Sequence, residues 1–205
     1  MTLQRFGTTG MTRNRIGIFG GTFNPIHKAH KQIALEFIEK LGLDLLYVIP
    51  NSIPPMKQSH GVSGEERLEM LNIAFDDCER VIVSDIEIKR GGMSYTCDTV
   101  SELRKKHPND ELFLLLGDDW INRFDRWRNY KDILNEATLV IAWRGEEDVL
   151  GYVERLYEKT GKRALLLMNE RIELSSTAFR IGRDKSLLPT GVYEYIEERG
   201  LYRND

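Results

Sequence analysis

Arg15-Ile16-Gly17-Ile18-Phe19-Gly20-Gly21-Thr22-Phe23-Asn24-Pro25-Ile26-His27-Lys28-Ala29-His30 is the stretch on which the fold turns. Its first five residues form a short apolar run closed by two adjacent glycines, the pattern of a buried parallel strand. Beyond the loop, Ile33, Ala34, Phe37, Ile38 and Leu41 fall on one helical stripe, which Gly42 ends. Leu45 to Ile49 is a second apolar run, stopped by Pro50. Strand, helix and strand within about 35 residues is the length of one βαβ unit.

The alternation continues outward from that unit. Ser63 with Glu66 predicts a capping box for a helix through Met70, Leu71 and Ala74. Strand-like runs follow at Val81 to Val83 and at Ile86 to Lys89, then a helix from about Thr96 to Lys106, stopped by His107-Pro108. Leu112 to Leu116 and Leu139 to Trp143 read as central strands, and Ala164 to Met168 is another apolar run. Helices are expected near Ser176 and near Val192. Strands alternating with helices predict an α/β fold: a doubly wound, mainly parallel sheet covered on both faces, with a small C-terminal helical portion. Residues 1–14 are polar, lack periodicity and read as a loose N-terminal extension, leaving 15–205 as one domain.

Composition narrows the function classes. The 205 residues are 41% hydrophobic and 30% charged, with 29 basic against 32 acidic residues and a net charge of −3. A balance so near neutrality does not build a broad surface for a nucleic-acid polymer. No apolar run approaches the roughly 20 residues that span a bilayer, and the first residues lack the apolar core of a secretory signal. Cys78 and Cys97 form neither a C-x-x-C pair nor a disulfide framework, which fits reduced thiols in the cytoplasm.

The loop itself carries chemistry. It lies at the carboxyl end of a parallel strand, the edge at which open α/β sheets bind ligands. Gly20 and Gly21 let the backbone approach a bulky anion, and the helix beyond supplies unpaired amides. His27 and His30, three residues apart, face the same way, so their N–H groups suit phosphate oxygens. Taken singly, a Gly-Gly turn or a histidine pair is common surface furniture. The residues contain no H-E-x-x-H pattern and no companion ligand at metal spacing, so no metal site is expected. No Gly-Lys-Ser/Thr follows the glycines, which excludes a P-loop. Near the C-terminus, Ser175-Ser176-Thr177 with Arg180 either caps a helix or binds an anion.

Together these segments resemble the nucleotidylyltransferase signature, a glycine-rich turn leading into (His/Thr)-x-Gly-His, paired with a Ser-Ser-Thr-x-x-Arg element. Ala29 stands where that motif has glycine, and Asn24 where relatives commonly have aspartate. Further segments resemble the nicotinate-mononucleotide adenylyltransferase family in its own order. Pro50-Asn51-Ser52-Ile53-Pro54-Pro55-Met56-Lys57 matches its P-N-x-x-P-P-H-(K/R) loop with Met56 in place of histidine. Ser94-Tyr95-Thr96-Cys97-Asp98-Thr99 matches its S-Y-T-x-D-T element, and Gly117 and Asp119, followed by Trp127, match its G-x-D…W segment. The resemblance spans residues 15 to 203 and implies a Rossmann-like nucleotidylyltransferase fold.

It also implies roles. Gly20, Gly21, Thr22, Phe23, Ser176 and Thr177 would surround ATP, with Lys57 on its phosphates and Gly117 and Asp119 beside its adenosine. Asn51, Tyr95, Thr96, Trp127 and Arg144 would hold the pyridine nucleotide, and His27, His30 and Arg180 would stabilise the transferring phosphoryl group. The implied reaction moves AMP from ATP to nicotinate mononucleotide, giving deamido-NAD and pyrophosphate in NAD biosynthesis, with Mg2+ carried by ATP. The alternatives are a sister transferase acting on phosphopantetheine or making cytidine-diphospho compounds, a class I aminoacyl-tRNA synthetase fragment, and a nucleotide sensor without activity. The preference for nicotinate over nicotinamide mononucleotide and the oligomeric state, including a homo-oligomer, stay open at this stage.

Overall fold

In the computed structural model, residues 13–53, 61–143, 148–168 and 174–203 are described, apart from the side chain of Asp119. Among them six strands form one parallel sheet in the order β3-β2-β1-β4-β5-β6. These are β1 (Arg15–Gly21), β2 (Leu45–Pro50), β3 (Val81–Val83), β4 (Glu111–Gly117), β5 (Thr138–Trp143) and β6 (Leu165–Met168). The chain winds outward from β1 to β3, then returns to lay β4 against the free side of β1. The doubly wound parallel sheet is therefore as expected, and its winding reverses between β1 and β4.

Both faces of the sheet are buried, which is why its strands read as unbroken apolar runs. Ile16 and Ile18 of β1, with Leu112, Leu114 and Leu116 of β4, face one core; Phe19, Phe113 and Leu115 face the other. The second of these cores is closed by α1 (Lys28–Leu41), α2 (Gly64–Ala74) and α9 (Val192–Arg199). The first is closed by α4 (Thr96–Lys106), α6 (Tyr130–Glu136) and α7 (Val149–Thr160). Gly17 is required at the centre, because a Cβ there would lie 2.6 Å from Leu43 and 3.0 Å from the Phe37 ring. Its absence lets α1 settle close against β1.

The signals at the element ends act as expected. Gly42 closes α1 in the left-handed region at φ 58°, and its N–H returns to Glu39 and Ile38. Ser63 and Glu66 form the reciprocal capping box of α2. α4 runs from Thr96 to Lys106, and α8 (Ser176–Gly182) and α9 occupy the C-terminal part. The helices α6 and α7 and the short α5 (Asp118–Ile121) were not anticipated.

One assignment is corrected. Ile86 to Lys89 is not a strand but the start of α3 (Ile86–Arg90). The alternating isoleucines imitate a strand, yet the deeply buried side chain between them is Glu87. Its Oε1 accepts a 2.6 Å hydrogen bond from the Thr99 hydroxyl, which in turn accepts from Arg90 at 2.7 Å. A satisfied buried carboxylate outweighs the local pattern here. Lys89, paired with Asp85 at 3.0 Å, braces the turn from outside.

Candidate active site

The carboxyl ends of β1, β2, β4 and β5 open on one cleft of about 460 Å³. Gly20, Gly21, Thr22, Phe23, His30, Asn51, Tyr95, Thr96, Gly117 and Trp127 all line it. Ten of the residues expected at the site, from six separate segments, thus meet at one edge of the sheet. A side chain at Gly20 would extend into this open space, with no protein atom within 4 Å.

The histidines take different positions. His27 caps α1, is buried, and lies behind His30 rather than on the cleft wall. The two rings stack with centroids 3.6 Å apart and planes 20° from parallel. The backbone N–H of His27 donates to His30 Nδ1 at 3.3 Å. In the neutral ring an accepting Nδ1 places the hydrogen on Nε2, so His30 presents a donor at its other nitrogen. Phe23 props the ring from the side, edge to face at 5.1 Å, and itself packs on Phe19 at 5.2 Å. Phe23 holds a left-handed backbone at φ 47°, a costly conformation for a bulky residue that the packing around its buried ring maintains.

Ser175, Ser176, Thr177 and Arg180 divide between a helix cap and contacts to the glycine loop. Ser175 is the ordinary N-cap of α8, its hydroxyl accepting from the Ala178 N–H. Ser176 instead donates to the Pro25 carbonyl at 2.8 Å, and Arg180 donates to the Asn24 carbonyl at 2.5 Å and to Thr177 at 3.0 Å. None of these three residues lines the cleft; Ser176 and Arg180 hold the glycine loop through its carbonyls, and Thr177 holds Arg180. Asn24 is buried, and its Oδ1 accepts from the Tyr202 hydroxyl.

The opposite end of the cleft is aromatic. Trp127 stands half-buried, with Trp120 at 6.2 Å and Phe124 at 5.4 Å between centroids. Tyr95 caps α4, and the Arg128 guanidinium lies 4.8 Å above its ring. Burial, helped by the neighbouring Asp98 carboxylate, pushes the Cys97 thiol up, so it stays protonated beneath this wall. Lys57, with Met56, and Arg144 lie outside the described residues, as does the side chain of Asp119.

Four participants were missed. Arg126 and Arg128 line the cleft beside Trp127, as does Glu87. Arg67 is 4% exposed and donates to the carbonyls of Thr22, Asn51 and Ser52 and to Asn51 Oδ1, at 2.6–3.2 Å. Desolvation lowers its pKa from the ordinary arginine value, though a guanidinium remains charged. A signal for it existed: Arg67 falls three, four and seven residues before Met70, Leu71 and Ala74, on the apolar stripe of α2.

This geometry agrees with comparison to known proteins. Residues 18–181 match the family model described as cytidylyltransferase-like, and the chain belongs to that family of nucleotidyltransferases. It is 37% identical to the probable nicotinate-nucleotide adenylyltransferase of Borreliella burgdorferi, across 92% of this chain and 96% of that protein. It is also 37% identical to the nicotinate-nucleotide adenylyltransferase of Bacillus subtilis, across 93% and 99%. Within the family the chain therefore stands among the nicotinate-nucleotide adenylyltransferases. The fold matches the Plasmodium falciparum nicotinic acid mononucleotide adenylyltransferase complexed with NaAD, with TM-score 0.75, 22% identity and coverage of 93% and 98%.

Proposed function

We propose that residues 15–205 act as one domain that transfers AMP from ATP to nicotinate mononucleotide, releasing pyrophosphate and forming deamido-NAD, in the cytoplasm. The observation that carries this reading is one cleft lined both by the glycine loop and by Trp127 and Tyr95. Two substrates placed there would meet over the carboxyl ends of β1 and β4.

A phosphate oxygen of the mononucleotide attacks the α-phosphorus of ATP, and the bond from that phosphorus to the bridging oxygen breaks as pyrophosphate leaves. The nucleophile is already anionic, so no serine, cysteine or covalent enzyme intermediate is needed. Catalysis then rests on positioning and on stabilising the charge of the transferring phosphoryl group. His30 serves this through its Nε2–H. His27 and Arg180 hold the loop that presents it. Gly20, Gly21, Thr22 and Phe23 contribute backbone, and Ser176 and Thr177 fix the loop's outer side. Lys57, Asp119 and Arg144 are assigned to ATP phosphate, ribose and the pyridine nucleotide by resemblance. Trp127 and Tyr95 offer aromatic faces to the electron-poor ring, with Asn51 and Thr96 beside them.

Among the described residues no group of three His, Cys, Asp or Glu side chains gathers that could hold a metal ion. By resemblance, Mg2+ would arrive with ATP, held chiefly by its phosphates and water. No helix of the described residues is long and apolar enough to cross a membrane.

The test is pyrophosphate release from ATP with nicotinate mononucleotide, nicotinamide mononucleotide, phosphopantetheine or no acceptor. Release should be fastest with the nicotinate form. Equal background release with every acceptor would refute the reading.

A further inference from the structure

The two substrate ends of the cleft are built on different loops, and something must hold those loops at a fixed separation. The loop after β2 lies between them. Its Asn51 Nδ2 donates to Thr22 Oγ1 at 3.1 Å on the glycine-loop side, and the Asn51 N–H donates to the Gly21 carbonyl at 3.0 Å. On the other side it runs beside residues 92–94, which lead into Tyr95 and Thr96. Ser52 N–H donates to Ser94 Oγ at 2.8 Å, Ile53 N–H to the Gly92 carbonyl at 3.3 Å, and Ser94 N–H back to the Ile53 carbonyl at 3.0 Å.

Three carbonyls at this bridge point at one group. Arg67 reaches up from α2 and takes the carbonyls of Thr22, Asn51 and Ser52 together. A trans peptide sets its N–H opposite to its C=O. Drawing the Asn51 and Ser52 carbonyls inward therefore turns the Ser52 and Ile53 N–H groups outward, toward Ser94 and Gly92. Drawing in the Thr22 carbonyl turns the Phe23 N–H away from the guanidinium. The planar fork of arginine can satisfy several carbonyls in fixed directions at once; a lysine ammonium at the same site reaches fewer and fixes them less. Arg67 itself does not line the cleft.

We infer that Arg67 is a positioning residue that sets the spacing between the ATP end and the pyridine-nucleotide end of the cleft, through the Asn51–Ile53 bridge. The inference rests on the adenylyl-transfer reading. It assigns Arg67 to the approach of the two substrates, not to the affinity for either. Misplacing reacting atoms by about 1 Å costs on the order of 10²-fold in rate. A residue acting through spacing should therefore lower kcat while leaving both KM values nearly in place.

The experiment measures kcat and both KM values by pyrophosphate release, with thermal melting, for wild type, Arg67→Lys, Ser94→Ala and the double variant. Arg67→Lys is expected to lose roughly 10- to 100-fold in kcat with each KM within about 3-fold of wild type. Ser94→Ala, which removes one of the three bonds at the far end of the same bridge without opening a core cavity, should lose about 5-fold in kcat. The double variant should fall well short of the product of the two losses, because both break one connection. A folded Arg67→Lys enzyme with wild-type kcat overturns the inference. So does a loss confined to KM, or multiplicative losses in the double variant. Should Arg67→Lys fail to fold, Ser94→Ala decides alone, and a wild-type kcat there overturns it too. Absence of turnover in the wild type instead condemns the adenylyl-transfer reading, so the two failures are distinct.

Discussion

The Tyr202 hydroxyl donates to Asn24 Oδ1 at 2.5 Å, joining residues 178 positions apart in a buried hydrogen bond. Arg183 secures the same segment by donating to the Leu201 and Tyr202 carbonyls while pairing with Glu197 at 2.6 Å. The C-terminal helical portion is thus a clasp on the glycine loop, and Asn24 serves as its catch. An acceptor oxygen is what the tyrosine requires, and the Asn24 amide supplies it. Tyr202→Phe leaves that oxygen buried without its donor, an expected cost of about 1–3 kcal/mol. Urea unfolding measures it, and an unchanged midpoint would contradict the clasp.

His30→Ala should lower kcat by about 10²–10³ while the fold persists. Its ring lines the cleft, and its Nδ1 also accepts the capping contact from the His27 N–H. Circular dichroism establishes the fold, and single-turnover rates measure the chemical step. A folded variant with undiminished turnover would remove His30 from the mechanism.

Trp127→Ala should weaken pyridine-nucleotide binding by roughly 1–2 kcal/mol and leave ATP binding close to wild type. Trp127 also packs on Phe124, so a melting curve must accompany the titration. Loss of ATP affinity alone would assign the wrong substrate to the aromatic wall.

Asp110 provides a pH-dependent element at the opposite edge of the sheet. Desolvation would raise its pKa, but hydrogen bonds from the Asn14 N–H and from His107 outweigh it and leave the carboxyl below its ordinary range. A carboxyl depressed in the folded state stabilises it above the unfolded pKa, about 3.9, and loses that contribution as pH falls through the folded value. Asp110→Asn should therefore be less stable than wild type near pH 7, with the difference closing below about pH 4. Chemical denaturation at both pH values tests this, and a difference independent of pH would exclude the electrostatic origin.

The legible parts of the chain were those in which local pattern and tertiary demand agree. β1, α1 and β2 show this, since one set of apolar residues satisfies both the helical stripe and the sheet face. The capping box at Ser63 and Glu66 is local by nature and reads directly from spacing. α3 was misread because its decisive contact, from the Thr99 hydroxyl of α4 to Glu87, joins separate elements and leaves no periodic trace. α7 carries Val149, Tyr152 and Leu156 on one face, a helical signal that went unread. In the site, the motifs located the cleft but gave no hint that His27 stands behind His30 or that Ser176 and Arg180 grip the loop from outside. Such roles depend on carbonyls, and a carbonyl's direction is invisible in a list of side chains.

The glycine loop draws on contacts made late in the chain. β1 meets β2 after a short excursion, but its pairing with β4 waits for residue 111, the Pro25 carbonyl waits for Ser176, and Asn24 waits for Tyr202. During synthesis the glycine loop therefore emerges early, and its contacts with Ser176 and Tyr202 can form only late. The loop at the head of the cleft thus takes part of its support from residues made 151 and 178 positions later. The order of residues along the chain therefore dictates when this loop can gain its last supports.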